Sequence, residues 1–297
     1  MKNDRQRLKQ RPKLLYIMGG ARSGSTILEV LLANNPAIFG AGELTHLIED
    51  GFLANKNCSC GCPCHKCNVW SKVFTQANIF ENNALVFSTN NKRFDRHKGL
   101  LLSFATSNDN SALSEHNEFS WTMIDNLITQ ENVAAIVDSS KYANRAINLY
   151  NYRSDDVGII CLTRSSSGMI DSFSKKNKEE QAPKSFLSAA LYIFSVNISF
   201  WWAKRVFGDS CLAISFEQLM KDPISVLNDV GEWSGLSVEN TKNMLDVEDK
   251  FQTGHIVTGN RIRSAKTIKF NPSKIVIHRK FNVFERSIIW CLDLLRP

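Results

Sequence analysis

The chain has 297 residues, 43% of them hydrophobic and 22% charged, the balance of an ordinary globular protein long enough to bury one sizeable core. Its net charge of +7 is concentrated at the start, where Lys2, Arg5, Arg7, Lys9, Arg11 and Lys13 against Asp4 supply five of those charges. The rest of the chain is close to neutral, which excludes a globally basic protein that coats nucleic acid. No apolar run of signal-peptide length follows the basic stretch, because Leu14–Met18 stops at Gly19. Residues 1–13 therefore read as a basic, disordered tail and residues 14–297 as a single domain. The protein is expected to be soluble and cytoplasmic.

In chain order, Leu14–Met18 predicts a buried strand and the apolar spacing from Thr26 to Ala33 predicts a helix. Between them lies Gly19-Gly-Ala-Arg-Ser-Gly-Ser25. A strand that breaks into a helix through glycines aims backbone N–H groups, backed by the helix dipole, at one spot and forms an anion cradle. The spacing from Gly19 through Gly24 to Thr26 fits the nucleotide-binding pattern G-x-x-x-x-G-K-[ST], with one departure. Ser25 stands where the lysine should be, and the cation comes earlier, at Arg22. Gly20, Arg22, Ser23, Gly24, Ser25 and Thr26 thus suit a phosphate-like group, but not the usual lysine-and-magnesium handling of a γ-phosphate.

An extended piece at Ala37–Phe39 leads to a helix around Glu43–Phe52. Glu43 is either a first-turn glutamate favoured by the helix dipole or a general base, with His46 the weaker candidate for that task. Five of the eight cysteines then crowd into Cys58-Ser-Cys-Gly-Cys-Pro-Cys-His-Lys-Cys67. Their spacing departs from two separated C-x-x-C zinc knuckles. We rank a reduced structural loop first, disulfide pairing second and a structural metal third, and expect no catalytic metal. Residues 51–130 read as a mostly helical insertion.

The strand Val133–Val137 ends in Asp138-Ser-Ser-Lys141, where Asp138 is a helix cap or an acid at a strand end and Lys141 a solvated or functional cation. A helix at Tyr142–Tyr152 follows. The strand Val157–Thr163 ends at Arg164, with Ser172 eight residues on. A bidentate guanidinium and a hydroxyl reached from one turn can grip a phosphate, and the same residues would serve as a serine-rich helix cap. Phe186–Phe207 is apolar but carries Ser188, Asn197, Lys204 and Arg205, which predicts a core helix and no stable membrane insertion. A strand at Cys211–Phe216 comes next. From Asn260 to Lys280 the chain holds seven Lys or Arg residues, Arg263 among them, and no acid, a local field that needs an anion or a solvated face. Strands alternating with helices place the chain in the α/β class: a P-loop-type three-layer fold with a central, mainly parallel sheet and helical insertions. Ligands of such sheets sit at the carboxyl ends of the strands.

With its flanks, the glycine loop resembles the 5′-phosphosulfate loop of sulfotransferases that use 3′-phosphoadenosine-5′-phosphosulfate (PAPS). Its Ala21-Arg-Ser-Gly-Ser-Thr26 is similar to the [PA]-R-S-G-[ST]-T pattern of the branch that includes tyrosylprotein sulfotransferases and many bacterial enzymes. Arg164 with Ser172 resembles the family's 3′-phosphate motif, and Gly259-Asn-Arg-Ile-Arg263 the segment that closes over that phosphate. Cys58, Cys60, Gly61, Cys67 and Trp70 resemble a C-x-C-G…C-x-x-W element of some bacterial members, to which Cys62 and Cys64 are extra. Ser215-Phe-Glu-Gln-Leu…Asp222-Pro223 resembles a further, structural segment. The resemblance implies PAPS as donor, 3′-phosphoadenosine-5′-phosphate (PAP) as product, and a small-molecule, carbohydrate or peptide acceptor rather than nucleic acid. Glu43 would be the base, while Arg22 and Lys141 would stabilise charge on the transferring group. Ala21 for proline and Ser25 for threonine are departures that remove no group the chemistry needs. The rivals are a P-loop kinase or NTPase and a nucleotide-binding protein without turnover. Acceptor identity and oligomeric state are not written in the sequence.

Overall fold

Strand β1 (Leu14–Gly19) lies at the middle of the molecule with every residue buried. In the computed structural model, which describes residues 8–96, 111–175, 183–259, 261–271 and 277–296 (Arg261 and Arg263 as backbone only), it centres a five-stranded sheet. The other strands are β2 (Ile38–Gly40), β3 (Ala135–Lys141), β4 (Val157–Thr163) and β5 (Cys211–Ser215), in the order β2-β3-β1-β4-β5. All four pairings are parallel. A parallel sheet is buried on both faces, and the two-residue period of a strand sorts its side chains between them. Leu14, Tyr16 and Met18 enter a core shared with the insertion through Trp70 and Trp121, whereas Leu15 and Ile17 enter a core shared with helix α1 (Ser25–Ala33) and Trp233. Three layers result.

The chain leaves β1 for one side of the sheet, returns through β2 and β3, and crosses to the other side at β4. The strand order therefore reverses at β1, and a crevice opens beyond its carboxyl end.

Several expectations change. Strand β3 runs past Val137 to Lys141, because each buried polar group finds a partner: Asp138 with Arg145, Ser139 with Glu29, and Ser140 with Asp138 and the Thr45 amide. Asp138 is accordingly a strand residue and does not cap the helix that follows: Ala143–Tyr152 has Tyr142 at its N-cap, while the Asp138 carboxylate accepts from the Leu44 amide at 3.4 Å. Residues 8–13 are docked rather than loose, since the Leu8 amide donates to the Trp233 carbonyl at 2.9 Å and the Lys13 amide to the Asp156 carbonyl at 2.9 Å. Residues 1–7 lie outside the described residues. The helix Phe186–Phe207 is only half a core helix. Its inner face holds Ala189, Ile193, Val196 and Phe200, while Leu187, Leu191, Phe194, Ile198 and Trp201 form an exposed stripe at helical spacing. By length and composition, Phe186–Ser210 could cross a membrane, a test that core helices also pass.

The expected helix around Glu43–Phe52 is a short turn, Leu44–His46, continuing into a wider π-helical stretch, Leu47–Leu53. The insertion contributes helices Trp70–Gln76, Glu81–Phe94 and Ser111–Glu131. All eight cysteines are free of disulfides.

Candidate active site

The glycine loop depends on backbone conformations that most residues avoid. Gly24 sits at the N-cap of α1 with φ 92°, in the left-handed region, and a Cβ there would lie 2.3 Å from the Phe216 ring. Arg22 holds φ 68° without being glycine, a strained geometry of the kind found where structure serves function. No side chain caps α1, so its first amides remain directed at the crevice. Gly20 and Ser23 back the loop rather than line the crevice. The Gly20 backbone makes room for the Met169 methyl, which a Cβ would meet at 2.7 Å, and Ser23 is buried.

Arg164 comes from the end of β4. Its Nη1 donates to the Arg22 carbonyl at 2.6 Å and its guanidinium lies 4.3 Å over the Phe216 ring, so one side chain fixes both the loop and its own orientation. Burial draws its pKa below the usual arginine value, with Glu217 opposing. The Glu217 carboxylate also accepts from the Ser165 amide at 2.9 Å, which pins the turn after β4.

Glu43 and Lys141 reach the crevice from the β2 and β3 side and form an ion pair there. Lys141 closes β3 with φ 76°, a left-handed turn that ends the strand beside the crevice. Glu29 braces the opposite partner. From within α1 its carboxylate accepts the Gly42 amide and, at 2.6 Å, the Ser139 hydroxyl, tying the Gly42–Glu43 turn to β3. Burial pushes the Glu29 carboxyl up to about 7. His46 Nε2 lies 3.8 Å from the other Glu43 oxygen, and burial lowers its pKa against the pull of Glu43. Beneath the pair, Asp138 takes Arg145 Nε at 3.0 Å; Arg145 Nη1 reaches Asp95 at 2.8 Å, and His116 Nε2 meets the same Asp95 oxygen at 3.0 Å. Burial works against charge on both Arg145 and Asp95, but their attraction outweighs it, and the Asp95 carboxyl stays below the usual carboxylate range.

The result is one cleft of about 650 Å³ that brings together Arg22, Gly24, Ser25, Thr26, Glu43, Lys141, Arg164 and Ser172. Val257, Thr258 and Gly259 close one wall, and a Cβ on Gly259 would sit 3.4 Å from Glu43 Oε1. Among the described residues, thirteen buried side-chain polar atoms have no hydrogen-bond partner in the protein, and two of them, Arg164 Nε and Thr258 Oγ1, belong to residues that line this cleft.

The Arg263 side chain and Asn260 lie outside the described residues; the backbone at Arg261–Ser264 forms a 3₁₀ turn. The basic run around them is partly neutralised, with Lys269 on Glu248 at 2.8 Å and Arg279 on Glu285 at 2.6 Å. Tyr192, Lys184, Phe216 and Thr258 also line the cleft and were not anticipated. Phe216 follows directly on β5, so the strand-end rule would have found it, and Glu29 was signalled by an acid in the otherwise apolar Ile27–Leu32.

Among solved structures, the sulfotransferase domain from the curacin biosynthetic pathway matches 97% of this chain and 100% of its own, with TM-score 0.53 and 17% identity. The sulfotransferase domain from the Synechococcus PCC 7002 olefin synthase matches 99% and 98%, with TM-score 0.49 and 15% identity. No protein-family model and no curated protein sequence matches the chain. At such identity the first likeness speaks for architecture alone: the chain has the α/β fold of a known sulfotransferase domain.

Proposed function

We propose that the protein is a sulfotransferase that moves the sulfuryl group of PAPS to a hydroxyl or amine of a small-molecule, carbohydrate or peptide acceptor, similar to the tyrosylprotein branch. The observation that carries this reading is the single cleft in which a lysine-free anion loop, an Arg164–Ser172 pair and a Glu43–Lys141 pair converge. Two donors on cleft-lining residues, Arg164 Nε and Thr258 Oγ1, have no partner within the protein and suit an oxyanion-rich ligand. A kinase of the P-loop type needs an acid for magnesium at a strand end. Asp138, the acid at that place, is wholly buried and already committed to Arg145.

The donor, when bound, brings an activated sulfuryl group. The α1 amides and the Ser25 and Thr26 hydroxyls bind its 5′ end, while Arg164 and Ser172 bind the 3′-phosphate. Glu43 takes the proton from the acceptor as it attacks, a role that requires Lys141 to leave the ion pair and turn to the departing oxygen. Arg22 adds charge stabilisation there. Positioning and fixed charge supply most of the acceleration, as in phosphoryl transfer.

Calorimetric titration with PAP, set against ATP with magnesium, tests the reading. Binding of PAP alone, lost in Arg164→Ala, is the expected result. A preference for magnesium-ATP would overturn it.

A further inference from the structure

The cysteine-rich loop stands apart from this chemistry, yet it converges on a residue far away in the sequence. Cys58, Cys60, Cys67 and His255 bring four ligand atoms within 4.8 Å of one another. Cys60 Sγ lies 3.8 Å from Cys67 Sγ, and His255 Nδ1 lies 3.2 Å from Cys67 Sγ and 3.7 Å from Cys58 Sγ. A tetrahedral ion with metal–sulfur bonds of about 2.3 Å and a metal–nitrogen bond of about 2.0 Å sets its ligands about 3.8 Å apart sulfur to sulfur and about 3.5 Å sulfur to nitrogen. These three spacings lie within about 0.3 Å of that cage. They do not match a disulfide, whose sulfurs stand about 2.05 Å apart.

We propose that Cys58, Cys60, Cys67 and His255 hold a structural zinc ion. Three thiolates and an imidazole form a borderline-soft, tetrahedral set that suits zinc and disfavours magnesium, calcium and manganese. All four positions are filled by protein, which marks the site as structural rather than catalytic. Binding releases the thiol protons to solvent, and no electrons change hands.

The surroundings hold this arrangement in place. Gly61, with φ 93°, turns the chain so that its amide meets the Cys58 carbonyl at 2.9 Å, and the Cys58 amide meets the Cys62 carbonyl at 2.9 Å. Ser59 laces the loop to the distant segment around His255: its hydroxyl donates to the Gly254 carbonyl at 2.6 Å and accepts the Ile256 amide at 2.9 Å. The Trp70 indole N–H donates to the His255 carbonyl at 2.8 Å. Cys62 is exposed and outside the cage, and Cys64 packs beneath Gly51. The ion would join the insertion to the segment that supplies Val257, Thr258 and Gly259 to the cleft wall. The proposal stands whether or not the cleft transfers sulfuryl groups.

The test uses the full chain without a histidine tag, equilibrated with zinc chloride, desalted and analysed by elemental mass spectrometry. One zinc per chain is expected, retained in Cys62→Ser and lost in Cys60→Ser and in His255→Ala. Cobalt chloride should give the intense visible bands of a tetrahedral cobalt–thiolate centre. Folded wild-type protein that retains no zinc overturns the proposal, as does a His255→Ala variant that keeps both the metal and an unchanged cobalt spectrum. Should the variants fail to fold, the metal count and cobalt spectrum of the wild type decide the matter on their own.

Discussion

At the carboxyl ends of β1 and β4 the backbone makes most of the site, whereas around the insertion side chains do. The glycine loop presents main-chain amides and depends on the φ of Gly24 and Arg22, with Arg164 and Phe216 as its main buttress. The insertion is joined to the sheet through a chain of buried charges, Asp95, Arg145 and Asp138, whose members come from three separate stretches of sequence. The two regions should therefore fail differently: the loop to changes of backbone freedom, the insertion to the loss of single charges.

The largest effect lies where the two regions meet. Glu43→Gln is expected to lower kcat by about two to four orders of magnitude, the scale of a lost general base, while PAP affinity in calorimetry does not fall. A variant that keeps full turnover would remove Glu43 from the chemistry. Arg145→Ala leaves Asp138 and Asp95 buried without their shared partner and should cost about 3–5 kcal/mol, read from urea denaturation. A loss below about 1 kcal/mol would mean that these charges do not carry the insertion.

The loop sharpens the contrast. Gly24→Ala imposes a left-handed alanine and a clash with the Phe216 ring, about 1–3 kcal/mol of strain, and PAP affinity should fall with it. Ser25→Ala alters only a hydroxyl and should be the milder change in the same titration. Equal losses would show that side chains, not backbone, make the cradle.

Glu29 makes stability depend on pH. Its carboxyl is raised from the ordinary 4.5 to about 7, so the folded state keeps a proton that the unfolded chain has released. Stability should therefore fall as pH rises from about 4.5 to about 7, by up to about 3 kcal/mol, and stay level above that. Glu29→Gln can still accept from the Gly42 amide and donate to Ser139, and should flatten that slope in denaturation midpoints measured against pH. An unchanged slope would assign it to another group.

The strands were legible because the sheet is buried on both faces: Leu14–Met18 and Val157–Thr163 are uninterrupted apolar runs, and the glycine spacing after the first marks a turn. Strand β3 was read short because hydropathy stops at Val137, whereas hydrogen bonding continues through Asp138, Ser139 and Ser140. Glu43, Lys141, Arg164 and Ser172 could be picked out one at a time from strand ends. That they share one cleft follows only from the strand order. His255 lies 188 positions beyond Cys67, and no local spacing rule connects them. The neutralisation of Lys269 and Arg279 likewise depends on partners that the basic run itself does not contain.

The contact between Lys141 and Glu43 also bears on salt dependence. Lys141 already has a counter-ion, and that counter-ion is part of the protein. An incoming anion displaces a tethered carboxylate there instead of releasing a dissolved ion. Added salt should consequently weaken anion binding less steeply than the cations that line the cleft would suggest. Neutralising Glu43 should restore the steeper dependence.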